Sequence, residues 1–431
     1  MTPPIFTLHE HSDMDERYYE AVHPSGLTLL VCPKDVSTYY ATLGVTYGSL
    51  DALSGRHKTP AGTAHFLEHK MFECPDGEDA DRTFALLGAE VNAFTTYERT
   101  AYQFTCTDRF AESLRELFSL VLSLHVTPAS VKRERGIIAE EIRQSNDSPY
   151  ERCYAELLRA LYHTHGVREE ICGSEASIAC ITPAVLRRHY AKFYRPEHMI
   201  LSVCGRTTPE EVWAVADAAL TAYQPLADVD DPLLPPSHEP PTVYQSSVTL
   251  PMDVPKPLFC LGIKAPAVPD EPMERLRLEL SMTLLAEMLF SRAGEWYHDL
   301  FESGSISPSW SYGASVGKGF AYLAVSGEAD DPDAVCDTFE DYLARWRRDG
   351  LPRDALTRSR RILYADYVTG LDASEDIAET MLSYAADGLG MFDFLSVLQS
   401  MTYEGITALF QSLCTERHIA RAVVTPPPSS K

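Results

Sequence analysis

The sequence has no run near the ~18 consecutive apolar residues that a membrane-spanning helix needs. Of its 431 residues 45% are hydrophobic and 23% charged, which excludes a disordered or collagen-like chain and is usual for water-soluble globular domains. Basic residues are scarce: Lys and Arg number 37 against 62 Asp and Glu, a formal net charge of -25. So acidic a chain repels nucleic acid and anionic lipid unless a local basic patch intervenes. The densest basic stretch, Arg358-Ser359-Arg360-Arg361, falls in an amphipathic helical pattern and reads as a solvated face. Neither nucleic acid nor membrane is expected as a partner. The ten cysteines include no C-x-x-C pair, and several lie inside apolar runs such as Leu29-Leu30-Val31-Cys32 and Leu201-Ser202-Val203-Cys204. They read as reduced, buried thiols and not as a disulfide framework. Met1 to Glu20 has neither a basic start nor an apolar h-region, so a secretory signal is not expected and the cytoplasm is the expected compartment. Also missing are a Gly-rich phosphate loop and a G-x-S-x-G at a strand–helix junction, where a nucleophilic serine would sit.

Proline and acidic residues concentrate between Pro225 and Pro241, with Pro235-Pro236 and Pro240-Pro241 and no regular periodicity. Such a stretch reads as an extended linker. It divides the chain into a domain over residues 1–224, a linker over 225–243 and a domain over 244–431. In the first part, strand-like segments (26–32, 40–47, 90–94, 100–106, 199–204) alternate with helical patterns (63–72, 82–87, 109–124, 128–143, 150–162, 209–222 and one opening at Thr182-Pro183). The second part repeats the plan: a strand over 258–264, a helix over 273–289, strands over 309–314 and 320–325, then helices over 331–347 and 353–369. The expected fold is α+β, two similar domains that each pack helices on a mixed β-sheet.

Ala64-His65-Phe66-Leu67-Glu68-His69-Lys70 carries the pattern H-x-x-E-H. Four residues of helix are about 400° of rotation and roughly 6 Å of rise, so His65 and His69 share one face and can reach one ion. Glu68, beside His69 and three residues after His65, can hold a water without being a ligand. Zinc in a catalytic site takes three protein ligands and leaves the fourth position open. The third ligand is expected on the helix 131–143. Glu134 and Glu141 are seven apart there, flanking an apolar stripe with Ile137 and Ile138, and carboxylates along such a stripe are costly to bury unless paired or metal-bound. We assign Glu141 as third ligand and Glu134 as a carboxylate orienting a ligand histidine; the alternative is two solvent-facing glutamates. Glu140, about 100° from Glu141, points elsewhere. Zinc is the default ion for two histidines and a glutamate, with Mn²⁺ and Co²⁺ also compatible. His163-Thr164-His165 reads as a polar helix terminus, and His9 and His11 as solvated.

Together these residues resemble the pitrilysin/insulinase family of zinc peptidases, the inverzincins, in which H-x-x-E-H is followed at a distance by E-x6-E. Here His69 and Glu141 are 72 apart, and Glu134-Arg135-Gly136-Ile137-Ile138-Ala139-Glu140-Glu141-Ile142 is similar to the second element. Gly62-Thr63-Ala64-His65, Asn92-Ala93-Phe94-Thr95 and Phe193-Tyr194-Arg195-Pro196 extend the resemblance across most of the first half. It implies a short two-domain subunit, similar to the catalytic subunit of mitochondrial processing peptidase, forming half of a clam-shell dimer around a peptide. It implies one zinc per chain and a peptide substrate added as a strand along Asn92, Ala93, Phe94 and Thr95. It also implies hydrolysis by a zinc-activated water with Glu68 as general base.

The second half departs from the family, whose active members usually present an Arg and a Tyr beside the zinc. Phe301 stands where the Arg is expected; Tyr312 takes the place of the Tyr only with a shift, and Arg292 lies too early. The resemblance therefore implies a heterodimer with a homologous non-catalytic subunit supplying the Arg and Tyr, or a homodimer. The competing expectation is a non-catalytic structural subunit, as some family members are, although those have eroded zinc motifs.

Overall fold

The segments Met199–Gly205 and Leu258–Lys264 are buried at every position, the run expected of strands covered on both faces. Each lies inside its own sheet. The structure, a computed structural model, describes residues 4–11, 14–54, 59–74, 80–227 and 238–427. The first sheet is built from β1 (Thr7–His11), β2 (Glu16–Val22), β3 (Thr28–Pro33), β4 (Tyr39–Val45), β5 (Ala89–Thr95), β6 (Thr100–Cys106) and β7 (Met199–Gly205), in the order β1-β2-β3-β7-β4-β6-β5. The second contains β8 (Ser247–Pro251), β9 (Leu258–Lys264), β10 (Ile306–Gly317), β11 (Phe320–Ala329) and β12 (Ile419–Thr425), in the order β10-β11-β9-β12-β8.

The two sheets share one plan. In the first, β3 pairs parallel to β7, and β7, β4, β6 and β5 then follow antiparallel. In the second, β8 pairs parallel to β12, and β12, β9, β11 and β10 follow antiparallel. The repeat expected from element order is therefore a repeat of topology, and β5 and β10 are equivalent edges. The protein is an α+β fold with two mixed sheets and helices packed on them.

The chain forms two compact units, and each includes a helix from the other half of the sequence. Residues 143–169 belong to the second unit and residues 368–392 to the first. In the second unit the helix Pro149–Leu161 packs on β12, β9 and β8; in the first the helix Ser374–Ala386 packs on the equivalent β7, β4 and β3. A glycine admits the helix at the same place in each sheet. A Cβ at Gly262 would lie 3.0 Å from Leu157, and one at Gly44 2.5 Å from Leu382.

Several local expectations change. β1 and β2 add to the strands expected from the sequence, and His9, expected to be solvated, stacks on Tyr18 with ring centroids 4.6 Å apart and lies 2.8 Å from Glu20; His11 packs on Phe392. Alternating polar residues hide a half-exposed edge pair in a sequence that reads as polar. Most of the stretch expected as a linker, 228–237, lies outside the described residues. Its end is anchored: the backbone N–H groups of His163, Thr164 and His165 donate to the Glu239 carboxylate, which pairs with the buried Lys264 at 2.5 Å. Lys264 also donates to the carbonyls of Pro240 and Thr242. Among the described residues no helix is long and apolar enough to cross a membrane.

Candidate metal centre

The helix Thr63–Met71 starts at Gly62, whose φ of 89° is left-handed, a conformation that costs glycine little. A Cβ there would stand 2.4 Å from the Cys172 carbonyl oxygen. Ala64, Phe66, Leu67 and Met71 anchor the helix in the core, leaving His65 and His69 half-buried on one side. Glu68 and Lys70 are buried too. Charged groups in a core need partners, and both have them. The Lys70 ammonium pairs with Glu73 and lies 3.7 Å from Glu134. The Thr95 hydroxyl donates to Glu68 Oε2 at 2.5 Å.

The helix Pro128–Asp147 is held by buried Val131, Ile138 and Ile142, spaced to fall on one helical face. It brings Glu141 Oε2 to 3.4 Å from His69 Nε2 and 3.8 Å from His65 Nε2. One ligand atom from each of these three residues lies within 4.8 Å of the other two. Two imidazole nitrogens and a carboxylate oxygen so gathered fit the donor set of a zinc site with an open position. Glu134 Oε1 lies 3.1 Å from His69 Nδ1. A proton on Nδ1 directed at that carboxylate leaves the Nε2 lone pair free on the Glu141 side. Glu140 is exposed and outside the cluster.

The protonation state of His65 suits metal binding, whereas at His69 a proton competes with a metal for the ring. Burial, then the nearby His69, lowers the His65 pKa to about 4, so at neutral pH it is an uncharged imidazole with a lone pair to give. Burial raises the Glu68 pKa, and the Glu141 charge adds to this; the Thr95 hydrogen bond and His69 pull it back. For His69, burial pulls down, but the Glu134 hydrogen bond and the charges of Glu141, Glu68 and Glu134 outweigh it and the pKa is raised.

Beside this cluster runs β5, which among the described residues pairs only with β6. Thr95 faces the helix Thr63–Met71, so Ala93 and Val91 share its side and Phe94 and Asn92 lie on the other. A cavity of about 440 Å³ opens between β5 and the two site helices, with Phe72, Val91 and Ile137 as apolar lining. Ile137 is 54% exposed, so the apolar stripe read from the sequence is half core and half cavity wall. Sequence reasoning also missed the Lys70 ion pairs and the Thr95 hydrogen bond to Glu68. A lysine directly after H-x-x-E-H was visible, but nothing local marks it as buried.

Comparison with known proteins shows the family. The family model described as insulinase (peptidase family M16) matches residues 35–175, and that of the peptidase M16 inactive domain matches residues 181–363. Over 409 residues the chain is 31% identical to the uncharacterized zinc protease YmfH of Bacillus subtilis, covering 93% of this chain and 95% of that one. The chain belongs to the insulinase family. An M16-like peptidase from Alicyclobacillus acidocaldarius has a similar structure, with a TM-score of 0.90 at 31% identity and 99% of both chains covered. The periplasmic protease PqqL of Escherichia coli shares the fold at 18% identity and a TM-score of 0.72, with 97% of this chain matching 48% of that one. As an insulinase-family chain, the protein is a short two-domain member.

In the second unit, the groups considered for the family's Arg and Tyr are occupied otherwise. Phe301 is 46% exposed and stacks on Tyr297. The Tyr312 hydroxyl donates to buried Glu287 at 2.6 Å, and Arg292 donates to the Pro308 carbonyl at 3.1 Å.

Proposed function

We propose that this chain is the zinc-carrying subunit of a peptidase that hydrolyses unfolded peptides. The observation that carries the reading is the convergence of His65, His69 and Glu141 with buried Glu68 on the same helix. One zinc per chain is held by those three residues. When bound, zinc lowers the pKa of a water from 15.7 toward about 7 and polarises a carbonyl. Thr95 engages Glu68 Oε2, and Oε1 is left to accept a proton from the attacking water and to pass it to the leaving amine nitrogen. Glu134 holds the His69 ring in its ligand orientation, and Lys70 holds Glu134. The edge of β5, unpaired among the described residues, offers its N–H and C=O groups to an extended peptide, with Asn92, Ala93, Phe94 and Thr95 along the contact.

The chain is proposed to act in a two-subunit peptidase, a homologous partner supplying the Arg and Tyr that Phe301, Tyr312 and Arg292 do not provide. A homodimer is the competing arrangement. The cytoplasm is the proposed compartment, supported by ten free cysteines. The test is hydrolysis of a mixed peptide library by the zinc-loaded chain, with Glu68→Gln as control. Cleavage by the wild type alone supports a self-sufficient peptidase. Bound zinc without cleavage supports the partner, and activity then appears on adding it. A chain that binds no zinc overturns the reading in favour of a structural subunit.

A further inference from the structure

Lys70, the residue after His69, is fully buried, and a charged side chain is stable in a core only when it is paired. It lies in the last turn of the helix Thr63–Met71, where the unpaired helix carbonyls favour a cation. Its ammonium sits between two carboxylates. It pairs with Glu73 and lies 3.7 Å from Glu134 Oε2, while Glu134 Oε1 lies 3.1 Å from His69 Nδ1. Glu73 has a second cation: the Arg133 guanidinium donates to its other oxygen at 3.1 Å. Among the described residues Glu134 has only Lys70 and His69. Glu73, Arg133 and Glu134 also line the cavity of about 440 Å³ between β5 and the site helices. The Glu134 carboxylate therefore has a buried ammonium on one side and, on the other, a space with room for water.

The Lys70 charge acts on a neighbouring Zn²⁺ in two ways of opposite sign. A positive charge repels the ion. A hold on Glu134 keeps the His69 ring turned with Nε2 toward the ion. We infer that Lys70 is a positioning residue of the metal centre in which the hold outweighs the repulsion. From the core side it draws Glu134 away from the cavity and so keeps His69 oriented as a ligand. The inference rests on the zinc reading of the proposed function and adds to it the residue that anchors the ligand's support. A carboxylate gripped at one oxygen turns about its own side chain, whereas one gripped at both does not. Without Lys70, Glu134 regains hydration by swinging into the cavity, and the His69 ring loses its partner.

The test is the zinc affinity of the full-length chain, read by chelator competition for the wild type, Lys70→Met, Glu134→Ala and the double variant. Methionine is unbranched and uncharged, and exchanging a buried ion for an apolar group of similar volume is often neutral for folding. Circular dichroism checks each fold. Lys70→Met is expected to weaken zinc binding at least about fivefold, less than the 10–100-fold of a group bonded directly to a ligand, even though it removes a repelling charge. In the Glu134→Ala background the same substitution no longer weakens zinc binding. Glu73→Gln leaves Lys70 to Glu134 alone and keeps zinc affinity at or above the wild-type value; it supplies the test if Lys70→Met does not fold. Unchanged or tighter binding in Lys70→Met overturns the inference and leaves the zinc reading standing. So does equal weakening in both backgrounds, which marks a general structural role, or more than about twofold weaker binding in Glu73→Gln. A wild type that binds no zinc overturns the zinc reading itself, and the inference with it.

Discussion

The Thr95 hydroxyl donates to Glu68 Oε2 at 2.5 Å, so the last residue of the edge strand holds the carboxylate beside the proposed metal ligands. The group proposed to move protons and the strand proposed to hold substrate are joined by one hydrogen bond.

Glu68→Gln keeps the volume of the side chain and removes its basicity. We expect unchanged zinc content by elemental analysis and a loss of about 10²–10⁴-fold in kcat, the range for general acid–base catalysis. Thr95→Val removes the hydrogen bond to Glu68 together with a 3.3 Å contact to Thr100 Oγ1, and the expected loss is smaller, on the order of tenfold in kcat, because Glu68 keeps its base but loses its orientation. Zinc lost in parallel with activity in Glu68→Gln would count against its role.

Glu134 is proposed to act through His69, whose Nδ1 lies 3.1 Å from its Oε1. Glu134→Ala frees the His69 ring and leaves Lys70 facing Glu73 alone, and zinc affinity is expected to fall about 10–100-fold. Competition with a chelator measures this. Glu140→Ala, one residue from the third ligand but outside the cluster, is expected to leave zinc affinity within about twofold, as for substitutions away from such features.

Gly62→Ala places a methyl group at a left-handed φ and against the Cys172 carbonyl. A destabilisation of about 1–3 kcal/mol is expected from the backbone strain, visible as a lower midpoint in urea, with weakened zinc binding because the strain falls at the start of the ligand helix.

In the second unit, burial alone would raise the Glu239 pKa, but Lys264 and the N–H groups of residues 163–165 outweigh it and hold it at about 2, below an ordinary carboxyl at about 4.3. A depressed pKa contributes stability that is fully present above the unfolded value and is lost as pH falls through the folded one. Between about pH 4.5 and 2 the wild type therefore loses this contribution, whereas Glu239→Gln has none to lose. At neutral pH that variant is expected to be less stable by about 3 kcal/mol, since Lys264 is left buried without its counter-charge. The gap should close toward pH 2. Urea unfolding of both proteins across this range is the measurement, and a gap independent of pH would refute the assignment.

Much of the candidate site was legible because its logic is local. The ladder His65–Glu68–His69 needs only the helical period, and the helix 128–147 declares itself by Val131, Ile138 and Ile142. The strands with continuous apolar runs, β7 and β9, could be read the same way. The elements after residue 370 and the edge pair β1–β2 could not, because polar faces and half-burial dilute the pattern that marks them.

By itself the sequence determined which residues could be ligands, which helices carry them and that one plan occurs twice. Those properties depend on periodicity along a single element. Only the tertiary structure decided that Glu141 meets both histidines while Glu140 does not. It also decided that Lys70 is buried between two carboxylates, that β5 is an edge, and that each sheet is covered by a helix from the other half of the chain. Those facts depend on which surfaces pack together, and pairing between elements distant in sequence leaves no mark in the order of residues along either one.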